Sequence, residues 1–274
     1  KYLEENASRY LSPKGLETYS PKFLNVLENL KDPEFRGLHL IYTQFRTIEG
    51  IGVLKLILDA NGFTQFKIKK NEAGIWQLAI PENKRGLPTY ALYTGTESDE
   101  EKELIRNIYN SDWEKVPSSL VSELTPMSSN NLYGEIIKVL MITASGAEGI
   151  SLKNTRYVHI TEPYWHPVRI EQVIGRGVRR NSHIALPEKD RNVEVYRYFS
   201  VISNKNMGFS KEPLSTDEYM DNVSIIAIEN LPSLLPFESS IYFSNKLTML
   251  LFEYMEGDYN MNWVNNNNIF KSMI

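Results

Sequence analysis

Short apolar runs alternate with amphipathic stretches between residue 38 and about residue 200. The runs that predict strands are Leu38–Tyr42, Thr89–Tyr93, Ile136–Ile142, Arg156–Ile160 and Val193–Phe199. Between them, the apolar spacing predicts helices over 48–60, from the capping box at Ser98 to about Asn110, and over about 167–179. This alternation predicts a mostly parallel α/β sheet with helices on both faces, with ligands at the carboxyl ends of its strands.

Three other segments depart from this pattern. Residues 1–37 are predicted as a lead-in or interdomain linker, in which Phe23, Val26, Leu27 and Leu30 form one apolar stripe of a helix that begins after Ser20. Residues 63–88 are predicted as an irregular insertion, either extended or a small hairpin, and 111–134 as a loop region rich in Ser, Pro and Asn. Residues 201–274 are predicted as a partly mobile C-terminal extension.

The composition restricts the cellular setting and the partners. The 274 residues include no cysteine, which is typical of a reducing compartment, so we expect a cytoplasmic protein. No stretch approaches the roughly 20 apolar residues of a membrane span, so no membrane partner is expected. The net charge of −4 argues against an autonomous nucleic-acid binder, and positive charge is densest from Arg169 to Arg191.

The strongest chemical signal is the pattern Q-x-x-G-R-x-x-R from Gln172 to Arg179. On a helix, one face would carry Arg169, Gln172, Arg176 and Arg179, and the other Ile170, Val173, Ile174 and Val178. Arginine suits a transferring phosphate because its planar, permanently charged fork donates hydrogen bonds in pairs. Gly175 and Gly177 weaken a helix, which suggests that something approaches the backbone closely. The alternative is a surface helix with scattered arginines.

A second signal runs from Thr143 to Leu152, where small residues follow a buried strand. Such a loop lets backbone N–H groups reach phosphate or sugar oxygens, although a Gly/Ser/Ala loop is often only a tight turn.

Taken together, these segments resemble the motifs of superfamily 2 helicases. Thr143–Leu152 resembles motif V, Gln172–Arg179 resembles motif VI, and Ile41–Phe45 resembles motif IV. Thr94-Gly95 with the following helix, and Glu162–Pro167, resemble the connecting segments of the Swi/Snf-like group. The chain is similar over about residues 20–200 to the helicase-like ATPases of large cytoplasmic DNA viruses, including giant viruses.

The resemblance implies a RecA-like second motor domain and assigns roles to individual residues. Arg176 and Arg179 would be arginine fingers that reach the γ-phosphate of ATP. Glu148, Gly149, Gln172 and Gly175 would lie at the nucleotide. The residues implied at the nucleic-acid backbone, DNA or RNA, are Thr43, Gln44, Gly95, Thr143, Ser145 and Gly146. One departure is Gly177-Val178, where relatives usually carry bulkier residues or alanine.

The phosphate-binding half of such a motor is missing from the sequence. There is no G-x-x-x-x-G-K-[ST] loop, Asp99-Glu100 and Asp217-Glu218 do not follow apolar strands, and the histidines lack metal-ligand spacing. We therefore expect ATP and Mg²⁺ to be held mostly by an upstream RecA-like domain of the same polypeptide, and this chain alone to be inactive. The alternatives are a non-catalytic helicase-derived scaffold in a viral transcription or replication complex, and a small-molecule enzyme without a dinucleotide fingerprint. The sequence leaves open strand polarity and whether the motor unwinds or only translocates.

Overall fold

The computed structural model describes residues 1–46, 50–143, 149–164, 167–201, 215–218 and 220. All of them belong to one compact unit, Lys1–Ile226. Its helices are α1 (Tyr2–Glu5), α2 (Ala7–Tyr10), α3 (Pro13–Tyr19), α4 (Pro21–Lys31), α5 (Ile51–Ala60), α6 (Asp99–Tyr109), α7 (Ser118–Leu124) and α8 (Pro167–Gly177). Its strands are β1 (Leu38–Tyr42), β2 (Thr64–Gln65), β3 (Ile68–Lys70), β4 (Trp76–Leu78), β5 (Thr89–Tyr93), β6 (Val139–Ile142), β7 (Thr155–Ile160) and β8 (Glu194–Arg197).

Six strands form one sheet in the order β2-β5-β6-β1-β7-β8, and every pairing in it is parallel. The predicted parallel α/β fold is therefore confirmed, and it is RecA-like. The five predicted strands are all present. The sequence did not predict β2, because two residues are too few to produce a periodic pattern.

Helices cover both faces of this sheet. In β1, Leu40 and Tyr42 face the core under α6, α7 and α8, whereas Ile41 faces the core under α3, α4 and α5. The predicted stripe of the lead-in helix is confirmed, since its four apolar residues are all buried in α4. The lead-in segment thus contributes, together with α5, to one of the two hydrophobic layers.

Two of the irregular regions contain regular structure. The insertion forms an antiparallel hairpin of β3 and β4, which confirms one of its two predicted forms. The prediction of a loop through 111–134 is wrong, because α7 lies within it. Leu120 and Leu124 are one turn apart and fully buried, and Ser119 Oγ donates to the carbonyl oxygen of Trp76 at 2.8 Å. Tertiary burial of two leucines therefore outweighs a local composition that favours loops.

Helix α8 ends at Gly177, two residues before the predicted end. The chain then turns back: the Arg179 N–H donates to Ser182 Oγ at 3.3 Å, and Asn181 takes a positive φ of 64°. As a result Val178 is 50% exposed and is not part of the apolar stripe that was predicted for it.

Candidate functional site

Four threonines form a row along the carboxyl-end edge of the sheet. They are the first residues after four neighbouring parallel strands, and all are buried: Thr94 after β5, Thr143 after β6, Thr43 after β1 and Thr161 after β7. We call this row and the residues that contact it the carboxyl-end edge. It contains every strand end at which the motif resemblance implied nucleic-acid contacts.

Glu162 holds the middle of the carboxyl-end edge together. Its carboxylate accepts hydrogen bonds from Thr43 Oγ1 at 3.0 Å, Thr161 Oγ1 at 2.8 Å and the Gln44 N–H at 3.1 Å. Burial raises the pKa of this carboxyl, and the three hydrogen bonds oppose that rise. Glu162 therefore fixes the ends of β1 and β7 relative to each other.

The implied nucleic-acid residues on β1 are occupied within the protein. The Thr43 side chain is 1% exposed and its Oγ1 also accepts from the Phe45 N–H at 3.2 Å. Gln44 Nε2 donates to the carbonyl oxygen of Pro163 at 2.9 Å. A side chain on Gly50 would overlap the Phe45 carbonyl oxygen, so the β1 loop is packed tightly against the start of α5. Among the described residues of this loop, Phe45 and Arg46 are exposed.

Gly95 lies exposed where β5 ends, in a turn that a carboxylate organises. Glu97 accepts from the Thr94 N–H at 2.7 Å and from the hydroxyls of Thr94 and Thr96. Burial alone would raise the pKa of Glu97, but these hydrogen bonds outweigh it and lower the pKa. Gly95 is thus carried on a turn that is ordered at neutral pH.

The segment resembling motif V runs from the carboxyl-end edge towards the opposite end of β7. Thr143 lies in the row of threonines, whereas Ser145, Gly146 and Glu148 lie outside the described residues. Gly149 is exposed with φ of 72°, a conformation that favours glycine, and open space surrounds it. The segment then leads through Ile150 and Leu152 into β7.

Helix α8 runs from the carboxyl-end edge back to the opposite end of β7. Its first residues follow the β7 end of the carboxyl-end edge, and its last residue, Gly177, packs on Thr155 at the start of β7. Eleven residues of α-helix span about 16 Å, so its two ends are well separated. At the first end, the Arg169 guanidinium stacks 4.6 Å from the Tyr164 ring centroid.

The second end carries the two motif arginines, which we call the arginine end. Arg176 is half-buried, and its Nε has neither solvent nor a hydrogen-bond partner among the described residues. Arg179 follows the helix and is exposed, yet its Nη2 donates to the carbonyl oxygen of Ile150 at 3.0 Å. The Leu152 N–H donates to the carbonyl oxygen of Arg176 at 3.1 Å, so the end of the motif V segment is fastened to the arginine end.

The remaining α8 positions separate into packed and open ones. Ile170 and Val173 are buried as predicted, Ile174 is half-buried, and Gln172 is exposed in the middle of the helix. A Cβ on Gly177 would lie 3.2 Å from Thr155 Cβ, so a strand approaches this glycine closely, as predicted. Nothing lies within 4 Å of a Cβ on Gly175, which leaves its surface open.

Sequence reasoning missed two residues that position this site. Glu162 was assigned only to a connecting segment. Asn110 is buried at the end of α6, donates from Nδ2 to the Ser151 carbonyl oxygen at 3.0 Å and accepts from the Lys153 N–H at 2.8 Å. It therefore fixes the motif V segment beside the arginine end. No local pattern in the sequence signals a contact between residues 41 positions apart.

Within the described ranges, no three His, Cys, Asp or Glu side chains come together as a possible metal site. Among the same residues, no helix has both the length and the apolar character needed to cross a membrane.

Comparison with known proteins places these features in a family. Residues 125–181, from the end of α7 to the turn after α8, match the family described as helicase conserved C-terminal domain. A protein of Acanthamoeba polyphaga mimivirus named as an ATP-dependent RNA helicase is 35% identical over 187 residues, 68% of this chain and 19% of that protein. A termination factor NPH-I homolog of African swine fever virus is 31% identical over 210 residues, 69% of this chain and 27% of that protein.

The parallel sheet and the motif VI-like helix define a second RecA-like domain of the helicase class. The chain carries a helicase C-terminal domain of the type found in giant viruses and other large DNA viruses. It spans about a fifth to a quarter of the length of these relatives. Among solved structures, the C-terminal part of the Fun30 ATPase domain aligns with 79% of this chain and 55% of that chain at 12% identity and a TM-score of 0.42, which is too remote to support an inference.

Proposed function

We propose that this chain is the second motor domain of an ATP-dependent nucleic-acid helicase or translocase. In this proposal Arg176 and Arg179 stabilise the γ-phosphate of a nucleotide that another RecA-like domain holds, and the carboxyl-end edge forms part of the nucleic-acid track. The single observation that carries the proposal is the arginine end itself. A buried guanidinium nitrogen without an acceptor is costly, by about 1–3 kcal/mol, and an acidic partner from outside these residues would satisfy it.

The donors at the arginine end fit a phosphate. Arg176 offers an Nε that has no partner among the described residues. Arg179 donates from Nη2 to the Ile150 carbonyl oxygen and from Nε to the Gly175 carbonyl oxygen at 3.4 Å, which leaves its Nη1 for a further acceptor. ATP supplies the transferring phosphoryl group, and the developing charge on its oxygens is what fixed arginines stabilise. Mg²⁺ would be held with the phosphates by the other domain.

The contacts between α8 and the motif V segment give the proposal a route between the two sites. Thr143 lies at the carboxyl-end edge, and Ile150 and Leu152, a few residues later, hydrogen-bond to the arginine end. If Arg176 and Arg179 move towards a phosphate, these hydrogen bonds would move the motif V segment, which begins at the strand end where nucleic acid is proposed to bind. The exposed Gln172 lies between the two ends of α8.

The test is steady-state ATPase activity of a protein that contains this chain together with its phosphate-binding domain. Arg176→Ala and Arg179→Ala should each lower kcat by on the order of 10³-fold, the range that arginine fingers contribute. Arg180→Ala is the matched control, because Arg180 is exposed and adjacent but outside the Q-x-x-G-R-x-x-R pattern. The proposal fails if the two variants retain activity comparable to that control. The 274-residue chain alone should hydrolyse no ATP, and robust turnover by it would also contradict the proposal.

A further inference from the structure

The hairpin insertion concentrates positive charge in an otherwise acidic chain. Residues 63–88 hold five cations and two carboxylates, a net charge of +3, whereas the whole chain carries −4. The residues outside the insertion therefore carry −7. The cations are Lys67, Lys69, Lys70, Lys84 and Arg85. No part of the proposed motor chemistry uses them.

The hairpin lies beside the carboxyl-end edge. Strand β2 runs parallel to β5, so the chain leaves β2 at the same edge of the sheet as the row of threonines, and β3 begins three residues later. Independently, Trp76 Nε1 donates to Glu100 Oε1 at 2.9 Å, and Glu100 is in the first turn of α6, just after the Thr94–Glu97 turn. Both observations locate the hairpin next to Gly95.

Packing holds the hairpin in one orientation. Ile68 and Leu78 are paired across its strands and buried, and the Leu78 N–H donates to the Glu123 carboxylate of α7 at 3.3 Å. On the same side, Lys70 Nζ contacts Glu100 Oε2 at 2.7 Å and lies 4.9 Å from the Trp76 ring centroid. Lys70 and Trp76 are therefore anchors of the hairpin and not available ligand groups.

The opposite side carries two cations, Lys67 and Lys69, that form no ion pair with a described residue. Burial raises the pKa of the Glu101 carboxyl of α6, and Lys67 lies near enough to oppose that rise. Successive side chains of a strand alternate between its faces, so Lys67 and Lys69 point away from the buried Ile68. Both are exposed, and neither side chain makes an ion pair or hydrogen bond to any residue that the structure describes. This outward face thus presents two exposed ammonium groups on a packed hairpin beside the proposed track.

We propose that the outward face of the β3–β4 hairpin, with Lys67 and Lys69, binds the phosphate backbone of the nucleic acid that crosses the carboxyl-end edge. This inference rests on the proposed function. The proposed function needs groups that attract phosphate at this edge, but the side chains of Thr43 and Gln44 already hydrogen-bond within the protein and the chain has a net negative charge. The hairpin lysines would supply the missing positive charge. A polyanion approaching the edge is repelled by most of the surface, and these two lysines offer local attraction where the track needs it.

The experiment measures binding of the 274-residue chain to a fluorescein-labelled oligothymidine by anisotropy, as a function of salt from about 50 to about 200 mM. The double variant Lys67→Ala/Lys69→Ala is compared with the control Lys14→Ala/Lys31→Ala. The control removes the same charge from exposed lysines on α3 and α4, on the other face of the sheet. Loss of two phosphate contacts to a single strand should reduce the slope of log K against log salt by about 1.4, with no such change in the control.

The outcomes separate this inference from the function on which it rests. Wild-type binding that depends on salt, together with equal slopes for the two double variants, would overturn the hairpin contact and leave the motor proposal standing. Absence of binding by the wild type at the lowest salt would contradict both. A parallel titration uses poly-glutamate as an acidic polypeptide. If the hairpin variant loses affinity for poly-glutamate and not for the oligonucleotide, the hairpin is a protein-docking surface and the inference is wrong. Thermal melting of both variants should stay close to wild type, because exposed lysines are replaced.

Discussion

The two ends of α8 differ in how their polar groups are satisfied. At the carboxyl-end edge, Glu162 and Glu97 accept hydrogen bonds from the hydroxyls of Thr43, Thr161, Thr94 and Thr96 and from the N–H groups of Gln44 and Thr94, so these described polar groups are satisfied within the protein. At the arginine end, the Arg176 Nε is buried without a described partner and the guanidinium of Arg179 is only partly used. The first region is held by hydrogen bonds within the protein, and the second is the region where we propose that the nucleotide phosphates bind.

This difference predicts how substitutions in each region behave. Replacing a residue that holds the support should lower the free energy of unfolding, whereas replacing an arginine that awaits a partner should lower activity and leave stability almost unchanged. The cations proposed to contact nucleic acid lie on the neighbouring hairpin, whereas the side chains of Thr43 and Gln44 at the edge are committed to contacts within the protein.

Both regions depend on the folded sheet that lies between them. A buried histidine pair makes the stability of that sheet sensitive to acid. His39 Nδ1 lies 3.0 Å from His159 Nε2, and His159 Nδ1 lies 2.7 Å from the Tyr198 hydroxyl. Burial lowers the pKa of His159 to about 3 and that of His39 well below its usual value. Both rings are therefore neutral in the folded protein at neutral pH.

Acid should produce the largest loss of stability. Because the folded pKa values are lowered, the unfolded chain binds more protons once the pH falls below about 6.5, and stability present above that pH is lost on acidification. His159 should contribute about 2 kcal/mol between pH 8 and pH 5, and His39 adds to the loss in the same direction. Urea unfolding at pH 8 and pH 5 measures the difference in the free energy of unfolding, and equal values would rule out two buried neutral rings. The NMR resonances of His39 and His159 should also stay unchanged over this range.

Loss of the Glu162 carboxylate should cost about 2–4 kcal/mol, because Glu162→Ala leaves the Thr43 hydroxyl and the Gln44 N–H without an acceptor. The Thr161 hydroxyl can still donate to the Tyr42 carbonyl oxygen at 3.0 Å. Glu103→Ala is the control: this carboxylate is 63% exposed in an ion pair with Arg106 and should change stability by less than about 0.5 kcal/mol. Denaturant unfolding of both variants provides the comparison. Similar effects of the two substitutions would mean that the carboxyl-end edge is not held by Glu162.

The two glycines of α8 should respond in opposite directions, by about 1 kcal/mol each. Gly175→Ala gains helix propensity in open space and should stabilise the domain. Gly177→Ala forces a methyl group to 3.2 Å from Thr155 Cβ, in a strand residue that also contacts the Tyr109 hydroxyl, and should destabilise it. Thermal melting of each variant relative to wild type measures both effects, and shifts of Tm in the same direction would contradict the packing described for α8. If Gly175 contacts nucleotide, its variant should be more stable yet less active in the complete motor.

The sequence predicted the parts of the molecule in which local pattern and final structure agree. The buried strands and the α4 stripe follow from apolar runs and helical spacing, and the motif VI-like helix was predicted with an end two residues too late. Helix α7 was missed because its Ser-rich sequence favours a loop and only burial of Leu120 and Leu124 makes it helical. Glu162 and Asn110 were missed because their roles depend on contacts between distant segments. The assigned roles of the arginines remain a prediction.

The most direct test of the account is the variant Arg179→Lys in a protein that contains both motor domains, with kcat, KM and the free energy of unfolding measured together. Lysine keeps the charge but cannot hold the Ile150 carbonyl with one nitrogen and a phosphate with another. The account predicts a fall in kcat of at least about 100-fold, little change in KM and a change in stability within about 0.5 kcal/mol. Activity close to wild type, or activity and stability that fall together, would contradict the claim that the arginine end serves the nucleotide.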